Sequence, residues 1–206
     1  MYVAAGIHPS DSRHYADMEG ELQKLRHLLD TRLDKIVAIG EIGLDYHYPE
    51  TDKESQAKWL HAQLSLAEEY DLPVVIHDRE AHGDCFDAIC AHPRVRGVFH
   101  SYSGSAEMAK DLIRRGFYIS FSGTVTFKNA ARVGAVAAEL PRDRVLIETD
   151  CPYLAPHPHR GELNHSGLLV YTAARLGEIW GISTDEAAEI TTENAQNFFF
   201  GEKKNL

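Results

Sequence analysis

The sequence has no apolar run near the roughly 18 residues that would carry a helix across a bilayer, so no membrane-spanning segment is expected. Its N-terminus lacks a basic stretch followed by an apolar one, and the expected location is therefore cytoplasmic. No Gly/Ser/Pro-rich or low-complexity stretch divides the chain, so residues 1–206 read as a single domain. Cysteine is scarce. Three residues at irregular spacings make no disulfide framework. Cys85 and Cys90 would lie roughly 140° apart around a helix, too far to form a ligand pair, and reduced, mostly buried thiols are expected. Positive charge is also in deficit, with a formal net charge of -10. That argues against a protein that coats nucleic acid through a basic footprint. It leaves room for an enzyme that meets phosphate through bound cations, which dominate the local field. Neither a Walker loop nor a G-x-G-x-x-G is present.

What remains is an ordinary globular composition, 44% hydrophobic and 25% charged. Short apolar runs recur at Tyr2–Ile7, Ile36–Ile39, Pro73–Ile76, Val95–Phe99, Phe117–Phe121 and Arg144–Ile147. Several are rich in valine and isoleucine without period-two alternation, as suits parallel strands buried on both faces. Helical stretches lie between them. Thr51–Tyr70 sets Leu60, Leu64 and Ala67 on one stripe, and Ser105–Arg115 does the same with Met108, Leu112 and Ile113. Gly116 should end the latter helix, and Ser183 with Glu186 forms a capping-box pattern opening a last helical pair. Alternation through six units predicts a parallel α/β fold, either an open doubly wound sheet or a (β/α)8 barrel.

The residue that closes each run carries the chemistry. His8 follows the first, Glu41 the second, His77 the third, His100 the fourth, and Glu148, Thr149 and Asp150 the last. In open α/β sheets and barrels alike, the C-terminal strand ends are where catalytic loops gather. Carboxylates and neutral imidazoles there suit zinc, manganese or magnesium. Each residue alone has an ordinary structural reading, as a hydrogen-bonded histidine, a salt-bridged Glu41 or a helix-capping Asp150. Together at one edge they predict a metal site. Glu41, set between Gly40 and Gly43, is a costly buried charge unless a cation meets it. His157 and His159 could be a ligand pair, but their Pro-rich loop more readily presents Arg160 to substrate; His47, His61, His82 and His92 read as surface. Cys151 reads as a small wall residue.

The blocks "AAGIHPSD", "VAIGEIGLDY", "LPVVIHDRE", "GVFHSYSGS", "FYISFSGTVTF", "VLIETDCPYLAPHPHRG" and "TTENAQNFF" resemble, in order, the signatures of the TatD family of metal-dependent deoxyribonucleases. The resemblance implies a (β/α)8 TIM barrel of the metal-dependent hydrolase type, with six of its eight units visible here. It implies cleavage of DNA phosphodiesters with divalent cations (Mg, Mn or Zn), two in a complete site and one expected to be retained. Glu41 matches the carboxylate that bridges two metals, His77 and His100 match ligands of one, and Asp150 matches the carboxylate of the other. Asp150 would also deprotonate the attacking water. His8, at the pocket rim, would either donate to a substrate oxygen or make a structural hydrogen bond, and Arg160 lies in a block on the substrate side.

The family's opening His-x-His strand has no counterpart ahead of "GIHP", and "NHSGLL" departs from the usual continuation after Asn164. An internal start is therefore expected, with strand edges at Tyr2–Ile7 and Arg144–Ile147 through which the chain could self-associate. DNA is the expected partner. The rival expectations are a hydrolase of the same fold acting on a small ester or amide, and a catalytically impaired fragment.

Overall fold

Six strands alternate with seven α-helices among residues 1–32 and 34–201, which the structure, a computed structural model, describes. The described residues cluster into two compact units, one ending at Val98 and the other beginning at Phe99. The first unit holds β1 (Val3–Ala5), α1 (Met18–Arg32), β2 (Ile36–Asp45), α2 (Lys53–Tyr70), β3 (Val74–Arg79) and α3 (His82–Ala91). Its strands pair in parallel, β1 with β2 and β2 with β3. β4 (Gly97–Phe99) spans the end of this unit. The second unit continues with α4 (Ala106–Arg114), β5 (Tyr118–Phe121), α5 (Ala131–Glu139), β6 (Val145–Ile147), α6 (Leu169–Trp180) and α7 (Thr184–Phe200), and β5 pairs in parallel with β6.

Each unit is organised around its own apolar residues. In the first, the sheet residues Ile39, Ile42, Val74 and Ile76 and the α2 residues Leu60 and Leu64 are all at 0–1% exposure. In the second, Phe99 meets Phe117 edge-to-face at 5.7 Å, and Leu112, Ile119 and Leu176 are fully buried. Burying one such side chain stabilises the fold by about 1.5–3 kcal/mol. The helix signals in the sequence act as read. Asp52 accepts from Ser55 N to open α2, Ser105 accepts from Met108 N to open α4, and Ser183 accepts from Glu186 N to open α7. Gly116, at φ 89°, takes the left-handed conformation that stops α4 and that glycine adopts without strain.

Two strands run further than the apolar runs indicate. β2 continues through Glu41 to Asp45, and β3 continues through His77 to Arg79, so both metal-competent residues are inside strands rather than after them. The register of β2 on β3 shifts between Ile39 and Ile42, which places Glu41 in an irregular stretch that turns a side chain out of the regular pleat. Close approach demands the flanking glycines. A Cβ on Gly40 would come within 2.8 Å of Val75 Cβ, and one on Gly43 within 1.9 Å of the His77 carbonyl oxygen. Polar residues mark strand ends only where the backbone stops pairing. Here glycine lets it pair on.

Candidate metal centre

In the first unit three side chains meet. His8, Glu41 and His77 offer ligand atoms that all lie within 4.8 Å of one another. Nδ1 of His77 is 2.7 Å from Glu41 Oε1, and its Nε2 is 3.2 Å from Asp45 Oδ2. A neutral imidazole has one N–H and donates to one acceptor only. A ring held between two carboxylates therefore carries either two protons or one proton and a cation. The surroundings decide which side suits the cation. The Asp45 side chain is 6% exposed and also accepts from His47 N at 3.0 Å, whereas Glu41 is 31% exposed. Asp45 thus serves as the buried acceptor for Nε2–H, fixing the tautomer and leaving the Nδ1 lone pair on the open side with Glu41, an arrangement usual for metal-binding histidines. The donor set fits a divalent cation held by Glu41 and His77.

His8 differs. Its Nδ1 accepts from Ser10 N at 3.2 Å and lies 2.7 Å from Ser10 Oγ. A backbone N–H can only donate, so a neutral His8 carries its proton on Nε2, the nitrogen 3.5 Å from Glu41 Oε1. This ring is disposed to donate rather than to ligate. Its segment is held by two buried glutamines of α2, two helical turns apart. Gln63 accepts from Ile7 N at 2.6 Å and donates to Ile7 O at 3.1 Å; Gln56 accepts from Asp45 N and donates to Pro9 O. They satisfy backbone groups of the segment that follows β1 and of the last residue of β2.

The second unit repeats the carboxylate–histidine device. Nδ1 of His100, directly after β4, is 3.0 Å from Glu148 Oε1, and Glu148 Oε2 accepts from Ser120 Oγ at 2.9 Å. A carboxylate on one ring nitrogen of a histidine orients the ring, as at metal-binding histidines. Asp150 sits at φ 58° and Ser101, the residue after His100, at φ 42°. Left-handed backbone at non-glycine residues clusters at functional sites. Asn164, 3% exposed, donates from Nδ2 to Thr149 O and Tyr153 O and so clamps the Asp150 turn. Arg160 is exposed, but its guanidinium lies 3.8 Å over the Phe127 ring and donates to Ala155 O. His159 is engaged by Glu162 and the Tyr171 hydroxyl, each at 3.0 Å. Of the cysteines only Cys85 is buried; burial, reinforced by Asp78, pushes its thiol up, away from a thiolate role near neutral pH.

Asp45, Glu148, Gln56 and Gln63 are the residues that the strand-end reading did not single out as functional. Replacing Asp45 with asparagine turns an amide N–H toward His77 Nε2 or toward His47 N. The first displaces the ring proton onto Nδ1 and the second sets donor against donor. Asp45→Asn should weaken divalent-cation affinity by about 10–100-fold with secondary structure retained. Manganese titration alongside circular dichroism checks this, and an unchanged affinity would remove Asp45 from the role.

Residues 1–200 match the family described as TatD related DNase. YabD, an uncharacterized metal-dependent hydrolase of Bacillus subtilis (strain 168), is 42% identical over 202 residues, covering 97% of this chain and 77% of YabD. YcfH of Escherichia coli (strain K12), described in the same words, is 38% identical over 97% of this chain and 74% of its own. The crystal structure of the TatD homologue YjjV from Escherichia coli K12 superposes with a TM-score of 0.89 at 34% identity, over 96% of this chain and 76% of that one. The likeness bears out the expected α/β fold of the barrel-type hydrolases, with six strands here.

Proposed function

This chain belongs to the TatD-related DNase family of metal-dependent hydrolases, and we propose on that footing that it hydrolyses DNA phosphodiester bonds. The observation that carries the reading is His77 set between a partly exposed Glu41 and a buried Asp45. Glu41 and His77 hold a divalent cation, magnesium, manganese or zinc by the chemistry of the donors. In the second unit His100, oriented by Glu148, and Asp150 match family motifs for metal ligands and would serve as such. A bound cation supplies Lewis acidity to the phosphoryl group and lowers the pKa of water. Such charge also explains how a chain of net charge -10 accepts a polyanion.

The chain's own groups do the rest. Asp150 accepts the proton of the attacking water as general base. His8 donates from Nε2 to a non-bridging phosphoryl oxygen, its other nitrogen being occupied by Ser10 N–H. Arg160, cradled on Phe127, pairs with a neighbouring phosphate. The test is an activity screen of the purified chain with magnesium or manganese, on DNA and on a panel of small esters and amides. Release of nucleotides that EDTA abolishes is the expected result. Turnover of a small ester or amide with intact DNA would place the substrate elsewhere.

A further inference from the structure

A cleft of about 270 Å³ lies beside Asp45 in the first unit. Its buried lining includes Pro9, Asp45 and Gln56. Pro9 directly follows His8, and Asp45 is the carboxylate that faces His77, so cleft and candidate metal centre share a wall. Nothing in that buried lining calls for a ligand. Gln56 is used at both ends of its amide, and Asp45 by His77, His47 N and the Arg79 guanidinium at 3.9 Å.

The mouth is different. Tyr48 is 49% exposed, meets His47 edge-to-face at 5.1 Å and carries the Arg79 guanidinium over one face at 5.6 Å, which leaves its other face for a ligand. Arg13 and Glu50, both exposed, make no side-chain hydrogen bond or ion pair among the described residues. One aromatic face, one uncommitted cation and one uncommitted anion therefore surround a cleft below the roughly 300–1,000 Å³ of drug-sized pockets.

We propose that this cleft is a nucleobase subsite, in which the base next to the scissile phosphodiester stacks on Tyr48. Glu50 accepts from the exocyclic amino group of that base, and Arg13 meets the backbone phosphate beyond it. The assignment rests on the phosphodiester reading above and adds to it a base preference. A free phosphate would use Arg13 and be repelled by Glu50, and a lone cation would use Glu50 and be repelled by Arg13. A nucleotide engages the ring and both charges. Adenine, cytosine and guanine each present an exocyclic amino donor that a carboxylate accepts, and thymine does not, so thymine is disfavoured at this position.

The experiment is an abasic scan. Fluorescent single-stranded oligonucleotides, each lacking one base, are titrated onto the full chain with calcium in place of a catalytic cation. Wild type, Tyr48→Ala and Tyr48→Phe are compared. In wild type and Tyr48→Phe, loss of the base at one position should weaken binding about 5- to 100-fold, the range of one base–aromatic stack. In Tyr48→Ala the same loss should cost clearly less, because the stacking partner is already gone and only the hydrogen bond to Glu50 remains to be lost. Tyr48 is half-exposed, so its replacement should not unfold the chain. A flat scan in wild type, a scan unchanged in Tyr48→Ala, or no DNA binding would each overturn the subsite. Cleavage with magnesium or manganese, followed in parallel, keeps the two readings apart. Cleavage with a flat scan removes the subsite and leaves the nuclease, whereas a position-specific scan without cleavage does the reverse.

Discussion

His77→Ala should lower metal-dependent hydrolysis by about a thousandfold or more, equivalent to about 4 kcal/mol of transition-state stabilisation. The size follows from what one ring supplies. It provides the Nδ1 lone pair beside Glu41, and it gives Asp45 the N–H that keeps a buried carboxylate satisfied. The variant therefore also loses about 1–3 kcal/mol of stability from the acceptor left behind. Thermal unfolding and rate measured on the same preparation separate the two effects. A variant that melts a few degrees lower yet turns over at the wild-type rate would show that the ring supports the fold and not the reaction.

Asp150→Asn should reduce kcat by about 10²–10⁴-fold, the span of a general base, with little change in stability. The backbone makes this contrast informative. At φ 58° Asp150 occupies the left-handed region, which asparagine tolerates at least as well as aspartate and alanine does not. Asparagine thus removes the carboxylate and keeps the turn, whereas Asp150→Ala should lose activity and about 1–2 kcal/mol of stability together. Equal melting temperatures for the two variants would contradict the backbone argument. An active Asp150→Asn would contradict the proton-transfer role.

Much of the candidate site was legible because strand ends advertise it. His100 directly follows β4, and Asp150 comes shortly after β6, as the apolar runs indicate. Glu41 and His77 were legible as residues but not in place. Glycines at 40 and 43 let β2 and β3 pair past the point where polarity suggests a stop. The orienting carboxylates were hidden for another reason. Asp45 lies four residues beyond Glu41 on the same strand and touches His77 of the next one, a contact set by register that no linear pattern encodes. Glu148 was visible only as one of three polar residues at a strand end, until its contact with His100, 48 residues away, set it apart. Gln56 and Gln63 carry no signal of their own in the linear sequence, and only the backbone groups of Ile7, Pro9 and Asp45 reveal their purpose.

Calorimetric titration of manganese into the metal-free chain, wild type against His77→Ala, tests the account most directly. It reads the ligand set without reference to substrate. A tight binding isotherm in wild type that disappears in His77→Ala is the predicted result. The same isotherm in both proteins would place the cation away from Glu41 and His77 and contradict the account.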